Sequence, residues 1–322
     1  MGFGQVQVDV VPEDFRCLRF EVGAQDALGG LHALERLAQT NPPQRQTIVD
    51  VICAYLRMPY IPPDDQAPGE DAPDDVHARY EQRRQELQVR LTAQRILSAH
   101  LNPEAAEVFW ADTDLNLTEA HLHQFDLAAC HVRSAQFEGA TFTGIAGFRD
   151  TKFAGTAEFG GGTFAGYARF AGAEFAGTAG FGGVTFARNA WFAGATFAGT
   201  VAFLWAEFTG TAGFRGAKFA EYARFDRAKF VGDAWFDWAT FTADAGFGKA
   251  EFTGDAGFRR ATFAGHTEFD GARVAPSSRL VALPIGWTTR PVAEGEEEGW
   301  LYMVRDEDSG EQPTKAPGDG PA

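Results

Sequence analysis

Phenylalanine recurs at two alternating intervals in the second half of the chain, and this recurrence constrains the fold more than any other feature. From Phe142 to Phe269 the rings follow one another at steps of six and five residues in strict alternation, which gives twelve copies of the unit F-x-G-x-A-x-F-x-x-A-x. An α-helix has a period of 3.6 residues and cannot gather rings that are on average 5.5 residues apart on one face. The chain must therefore bend after each ring. We predict that these rings form the core of the region; they are Phe142, Phe148, Phe153, Phe159, Phe164, Phe170, Phe175, Phe181, Phe186, Phe192, Phe197, Phe203, Phe208, Phe214, Phe219, Phe225, Phe230, Phe236, Phe241, Phe247, Phe252, Phe258, Phe263 and Phe269.

The small residues of the unit describe the path between the rings. A small residue stands two positions before each ring, Ala in 19 of the 24 cases, and in an extended segment it points to the same side as the ring. Two residues after the first Phe, nine of the twelve units carry Gly, while the others carry Arg188, Glu221 or Ala243, and this Gly predicts a corner with positive φ. Because a coil of eleven residues has no room for two rings, we predict four-sided coils of 22 residues. Lys152 and Glu174, 22 positions apart, then become outward neighbours of opposite charge.

This pattern resembles the pentapeptide-repeat proteins, whose five-residue motif centres on an inward Leu or Phe preceded by an inward Ala. The residues before the Phe ladder keep the five-residue register of that family; they are Leu117, Leu122, Leu127, Val132 and Phe137. The resemblance implies a mainly β fold, a right-handed quadrilateral β-helix over residues 112–274 with about 22 residues per coil. The chain departs from the family's strict period by adding one residue to every second face. At the usual strand spacing the rod would be roughly 35 Å long.

The flanking residues predict covers for both ends of the rod. Residues 1–58 form a small helical segment, which resembles the HEAT-like helices before the repeats of many bacterial pentapeptide-repeat proteins. Residues 59–75 are acidic and rich in Pro and predict a linker, and residues 76–111 predict a third helix and the lead-in to the repeat. Residues 275–305 predict an extended cap across the last coil, and residues 306–322 predict a disordered tail. The apolar positions expected to face inward in the first two helices are Leu31, Leu34, Leu37, Ile48, Ile52, Tyr55 and Leu56.

The net charge of -16 lies mainly in the flanks. Residues 135–274 carry 14 acidic and 13 basic residues, so the rod itself has a net charge of -1. The three cysteines, Cys17, Cys53 and Cys130, are too few and too widely spaced for a disulfide framework. The longest apolar stretch, TIVDVICAYL, is too short to cross a bilayer. We therefore expect a cytoplasmic protein without a membrane span.

Metal, phosphate and catalytic sites are not favoured by the sequence. His121, His123, His131 and Cys130 are potential metal ligands, but the register turns Cys130 inward and His121 and His123 outward, so a structural role is favoured. The Gly-rich runs FGGGTF and FGGVTF lack the Lys and Ser/Thr of a phosphate loop and are interpreted as corners. The carboxylates of the repeat point outward among basic residues. We predict no metal, no cofactor, no catalytic residue and no enzymatic activity.

Four outward residues form the candidate partner-binding surface. Trp191 and Trp235 take the same outward position two coils apart, Arg169 precedes Trp191 by one coil, and Trp238 lies at the corner after Trp235. Exposed Trp and Arg on a surface of small residues are typical of protein-binding sites. An equally weighted alternative is that the tryptophans only shield the flat faces.

These observations favour a non-enzymatic scaffold or protein-interaction module that binds a protein and has no direct contact with nucleic acid. The family resemblance implies an alternative, because some pentapeptide-repeat proteins imitate duplex DNA, bind type II topoisomerases such as gyrase and protect against quinolones. That role requires a strongly acidic rod, which this rod is not. The sequence leaves the oligomeric state open, and an end-to-end dimer is compatible with a rod.

Overall fold

In the described part of the chain, three α-helices precede the repeat region. The computed structural model describes residues 24–276, 278, 280–291 and 299–306. The helices are α1 (Ala24–Thr40), α2 (Arg45–Arg57) and α3 (Asp74–Leu101), with a 3₁₀ turn (Pro42–Gln44) before α2. None of these helices is long and apolar enough to cross a bilayer. Of the positions expected to face inward, Leu31, Ile48, Ile52 and Leu56 are buried and Leu34 and Tyr55 are partly buried. Leu37 is 47% exposed, so the prediction for this residue is wrong.

From residue 115 onward the chain forms short strands, most of them two residues long. In chain order they are β1 (Leu115–Asn116), β2 (His121–His123), β3 (His131–Val132), β4 (Ala135–Gln136), β5 (Thr141–Thr143), β6 (Ala146–Gly147), β7 (Lys152–Phe153), β8 (Ala157–Glu158), β9 (Thr163–Phe164), β10 (Ala168–Arg169), β11 (Glu174–Phe175), β12 (Ala179–Gly180), β13 (Thr185–Phe186), β14 (Ala190–Trp191), β15 (Thr196–Phe197), β16 (Val201–Ala202), β17 (Glu207–Phe208), β18 (Ala212–Gly213), β19 (Lys218–Phe219), β20 (Ala223–Arg224), β21 (Lys229–Phe230), β22 (Ala234–Trp235), β23 (Thr240–Phe241), β24 (Ala245–Gly246), β25 (Glu251–Phe252), β26 (Ala256–Gly257), β27 (Thr262–Phe263), β28 (Thr267–Glu268), β29 (Arg273–Val274), β30 (Leu280–Ala282), β31 (Trp287–Pro291) and β32 (Leu301–Arg305).

The strands wind into a β-solenoid of about seven coils with four parallel faces. In the order in which the chain visits them, we call the faces 1 (β2-β5-β9-β13-β17-β21-β25-β29), 2 (β6-β10-β14-β18-β22-β26-β30), 3 (β3-β7-β11-β15-β19-β23-β27) and 4 (β1-β4-β8-β12-β16-β20-β24-β28). Strands β32 and β31 extend face 1. Partners in neighbouring coils are 22 residues apart, as Ala168 and Ala190 show. The predicted β-solenoid and its period are therefore confirmed.

The Phe rings fill the interior of the solenoid. On each face the rings of successive coils stack with their centroids between 4.4 and 5.1 Å apart. Rings of faces 2 and 4 meet edge to face, as Phe159 and Phe170 do at 5.5 Å. All the rings of the ladder are buried except Phe263, which is only partly buried. Phe263 lies on β27, the last strand of face 3, so no described strand of that face covers its outer side.

The solenoid has two kinds of corner, and our prediction for one of them is wrong. The five-residue step closes a tight turn, in which the N–H of Ala173 donates to the Phe170 carbonyl and the intervening Gly172 has a φ of +71°. This pattern is a type II turn. The wide corner follows the first Phe of each unit and holds the glycines that we expected to have a positive φ. Only Gly144 has one, and the φ angles of the others lie outside the left-handed region. They lie where the coils approach closely: a Cβ on Gly166 would overlap the carbonyl oxygen of Gly144.

The helical segment covers the first coil through side-chain amides. The Gln94 amide donates to the His123 carbonyl at 2.9 Å and accepts from the His123 N–H at 3.2 Å. Gln46 forms the same pair of bonds with Asp114, at 3.0 and 2.9 Å. Both glutamines therefore imitate a neighbouring strand. The expected linker is shorter than residues 59–75, because α3 begins at Asp74.

The last coil is covered on part of its surface by the C-terminal strands. Strand β30 runs parallel to β26, and β32 lies antiparallel to β29 and to β31. The Trp287 ring packs against the Phe269 ring with a centroid distance of 5.0 Å. The expected extended pieces of the cap are thus strands. Cys17, most of the run EGEEEG and all but the first residue of the predicted tail lie outside the described residues.

Candidate partner-binding surface

Three of the four candidate residues lie in one column on the outside of face 2. The strand register places Arg169 beside Trp191, Trp191 beside Gly213, and Gly213 beside Trp235. The column continues to Gly257. Tryptophan and glycine therefore alternate along the rod at the outward position that precedes the second Phe of the unit.

The rings of Trp191 and Trp235 pack over the glycines of the next coil. A Cβ on Gly213 would come within 2.8 Å of the Trp191 ring, and a Cβ on Gly257 within 2.7 Å of the Trp235 ring. Both glycines are buried as a result, although Trp191 itself stays 37% exposed. This contact gives the two tryptophans a packing role on face 2, while their outer surfaces stay accessible.

Trp238 is held differently, at the tight corner between faces 2 and 3. Its φ is +56°, which is the left-handed conformation that the turn requires. The side chain is 39% exposed, and the guanidinium of Arg215 lies 4.5 Å from the ring centroid. The guanidinium of Arg260 lies 5.8 Å from the same centroid. The indole thus stands between two cations from neighbouring coils.

Trp205 occupies the equivalent tight turn at the corner between faces 4 and 1, and the sequence reasoning missed it. Its φ is +58°, it is 59% exposed, and the Arg227 guanidinium lies 4.3 Å from its ring. The sequence signal that could have identified Trp205 is a Trp at the third position of the F-x-x-A turn. Gly is the residue expected at that position, and a large aromatic ring there is unusual.

Some surface charges of the solenoid form contacts between neighbouring coils. Two ion pairs run along the rod, Lys152 with Glu174 at 3.3 Å and Arg273 with Glu251 at 2.8 Å, within the described part of residues 135–274. Several Asp carboxylates instead accept a backbone N–H one coil further on, as Asp237 does from Arg259 at 2.9 Å. These acids are therefore engaged in holding coils together.

The potential metal ligands of the first coils do not converge. His123 hydrogen-bonds Thr143 at 3.0 Å, and the His131 ring contacts Phe109. The Cys130 thiol is buried and donates to the Ser98 carbonyl, and burial raises the pKa of the Cys130 thiol to about 12. Within the described part of the chain, no group of three or more His, Cys, Asp or Glu residues is placed to bind a metal ion.

An open groove of about 760 Å³ lies between α3 and the first coils, where the sequence alone could not display one. The groove is lined mainly by Gln, Ala, Leu and Val side chains. Its lining residues of the kinds that act in catalysis are Arg95, Ser98, Asp126 and Cys130. The Ser98 hydroxyl contacts the backbone carbonyls of Gln94 and Asp126 rather than a basic side chain. With its thiol protonated at neutral pH, Cys130 is not an activated nucleophile.

A protein-family model described as pentapeptide repeats matches residues 127–173 and 163–204 of the chain. Both matches lie inside the β-solenoid, and the 22-residue register continues beyond them to Val274. The fold is therefore a pentapeptide-repeat solenoid, and the resemblance inferred from the sequence is confirmed. The repeat region of this chain therefore carries pentapeptide repeats with Phe at the centre of the motif, and helices precede it. Neither a curated protein nor a solved structure matches the chain.

Proposed function

We propose that this protein is a non-enzymatic, cytoplasmic scaffold whose solenoid binds a partner protein through face 2 and the adjoining tight corner. One observation carries the proposal. Three tryptophans, Trp191, Trp235 and Trp238, lie together with several arginines on face 2 and the tight corner beside it. Exposed Trp and Arg side chains contribute most of the binding energy in many protein interfaces.

The stacked core supports this role, because a scaffold must hold its binding residues at fixed spacing. Each coil of four rings packs against the coils on either side, and every outward position repeats at the coil spacing. Long rigid surfaces of this kind suit the recognition of extended protein partners. The groove beside α3 contributes a second recessed surface close to the helices.

The proposal is tested by affinity capture from the native cell with the full chain as bait. The bait with Trp191→Ala and Trp235→Ala should lose a partner that wild-type protein retains. The matched control carries Tyr222→Ala, which removes an exposed side chain from the wide corner between faces 3 and 4, and should retain that partner. The purified partner should then bind the Trp variant about tenfold or more weakly than the wild type. Identical capture by all three baits would reject the proposal.

The DNA-mimic alternative is separable by a direct assay. Imitation of duplex DNA needs regularly spaced, uncompensated negative charge along the rod. Here residues 135–274 have a net charge of -1, and outward Glu207, Lys229 and Glu251 alternate in sign on face 1. We therefore expect no inhibition of gyrase supercoiling at micromolar protein. Inhibition at that concentration would rank the topoisomerase function above the scaffold.

A further inference from the structure

We infer that the tight corner around Trp238 binds an acidic peptide segment of the partner protein. We call this site the Trp238 corner, and its residues are Arg215, Lys218, Asp237, Trp238, Arg259 and Arg260. The inference rests on the proposed scaffold function and specifies the chemistry of the partner.

The aromatic centre of the Trp238 corner is preorganised. Trp238 takes the left-handed position of its turn, so its side chain leaves the rod at the edge rather than from a flat face. Arg215 and Arg260 approach its ring from the coils on either side, at 4.5 and 5.8 Å. Because cation–π contacts hold the guanidinium groups beside the ring, their N–H donors are already gathered at one point.

The charge of the Trp238 corner is positive and unbalanced. Arg215, Lys218, Arg259 and Arg260 are exposed, and none forms an ion pair with any residue in the described part of the chain. Asp237 is the one acidic residue of the corner. It is partly buried and accepts a hydrogen bond from the backbone N–H of Arg259. The chain as a whole has a net charge of -16, so this corner is a local positive area on an acidic protein.

The complementary ligand is a short polyanion with carboxylate groups. Arginine side chains bind carboxylates through paired, charge-assisted hydrogen bonds. The positive charges extend over three neighbouring coils, a distance of about 10 Å, which matches about three residues of an extended peptide. The Trp238 ring supplies an apolar surface for the peptide's side chains or backbone.

A nucleic acid fits the same corner less well. Its phosphates would continue along the rod past the three positive coils onto Ala193 and Gly194 of the preceding coil, which carry no charge to pair with them. We therefore assign the site to a peptide and use nucleic acid as a competing outcome of the test.

The test uses two matched variants of the full chain, Trp238→Gly and Trp205→Gly. Both remove an exposed indole from a left-handed turn position, where Gly is the residue favoured by the backbone, and thermal melting of both variants checks that each is folded at the assay temperature. Trp205 lies at the diagonally opposite corner of the rod and serves as the control. Random decapeptides displayed on phage are selected for binding to the wild-type protein.

The recovered peptides should be enriched in Asp and Glu. A synthetic copy of the most enriched peptide should bind wild type and Trp205→Gly equally, and bind Trp238→Gly at least about tenfold more weakly. The variant Arg260→Gln should weaken binding and make it less dependent on salt concentration.

Any of four results would overturn the inference. The first two are recovered peptides without an excess of Asp and Glu, and equal binding of the synthetic peptide to Trp238→Gly and wild type. The other two are tighter binding of a deoxythymidine decamer that Trp238→Gly abolishes, and peptide binding that appears only after removal of residues 307–322, which would make the chain's own acidic tail the occupant. Neutral peptides combined with partner loss in the Trp191/Trp235 bait would retain the scaffold function and reject only this inference. If acidic peptides are recovered and Trp238→Gly loses their binding, but all baits capture the same proteins, the acidic-peptide site is retained and the scaffold function through Trp191 and Trp235 is rejected.

Discussion

At the scale of single residues, the tight corners carry side chains that their conformation disfavours. A left-handed φ costs a residue other than Gly about 1 to 2 kcal/mol. Trp205 and Trp238 both take this conformation, and a cation–π contact with a neighbouring Arg offsets only about 0.5 to 1 kcal/mol of that cost. On backbone conformation alone, Gly would be favoured at both positions. We therefore regard the two indoles as residues whose value lies in what they present to solvent.

The two kinds of glycine should respond differently to substitution. Gly194 has a φ of +68° with open space around its Cβ position, so Gly194→Ala should cost only the conformational strain of about 1 kcal/mol. Gly166 lies outside the left-handed region, but its Cβ would overlap the Gly144 carbonyl oxygen, so Gly166→Ala should cost about 3 kcal/mol. Urea unfolding followed by circular dichroism measures both values. Equal losses for the two variants would contradict our distinction between turn glycines and close-approach glycines.

At the scale of elements, the junction between the helices and the first coil depends on buried polar side chains. Gln94 and His100 are both nearly inaccessible on α3, at 4% exposure each. The His100 ring stacks on Trp110 with a centroid distance of 4.0 Å, and its Nε2 lies 2.9 Å from a Glu35 carboxylate oxygen on α1. The helices are therefore joined to one another and to the solenoid by specific hydrogen bonds in addition to apolar packing.

Gln94 offers a direct test of this junction. Gln94→Leu keeps the size of the side chain but leaves the N–H and carbonyl of His123 without their partners, so the free energy of unfolding should fall by about 2 kcal/mol. Gln94→Glu restores an acceptor for the N–H but no donor for the carbonyl. It should therefore be less stable than the wild type as well. Chemical denaturation of the three proteins measures the series, and a Leu variant as stable as the wild type would show that the strand-like bonds are dispensable.

The Glu35 contact predicts a pH dependence of stability. Burial raises the pKa of Glu35, but hydrogen bonds with His100 and His32 outweigh burial, and the net pKa lies below its ordinary value of 4.5. A carboxyl group with a lowered pKa stabilises the fold above its ordinary pKa, and this contribution is lost as the pH falls through the folded-state value. Wild-type protein should thus lose more stability than Glu35→Gln between about pH 5 and pH 3. Parallel pH profiles of urea unfolding for the two proteins would contradict this assignment.

At the scale of the whole molecule, the solenoid should be least stable at its C-terminal edge on face 3. Phe192 lies in the middle of the rod with stacked rings on both sides, so Phe192→Ala should cost about 4 kcal/mol. Phe263 has a stacked ring on one side only and is partly exposed, so Phe263→Ala should cost about half as much. Amide hydrogen exchange should show faster opening of β27 than of β15 on the same face. Equal exchange on the two strands would contradict an edge-first opening.

The sequence by itself determined the period, the four faces and the inward rings, because a strictly repeated apolar pattern allows one register in which neighbouring coils bury the same positions. It also determined the near-neutral charge of the rod. Only the tertiary structure decided which glycines turn the chain and which admit the next coil, since backbone approach between residues 22 positions apart has no local signal. The same holds for the strand-like bonds of Gln94 and for the cations around Trp238, which come together only when successive coils stack.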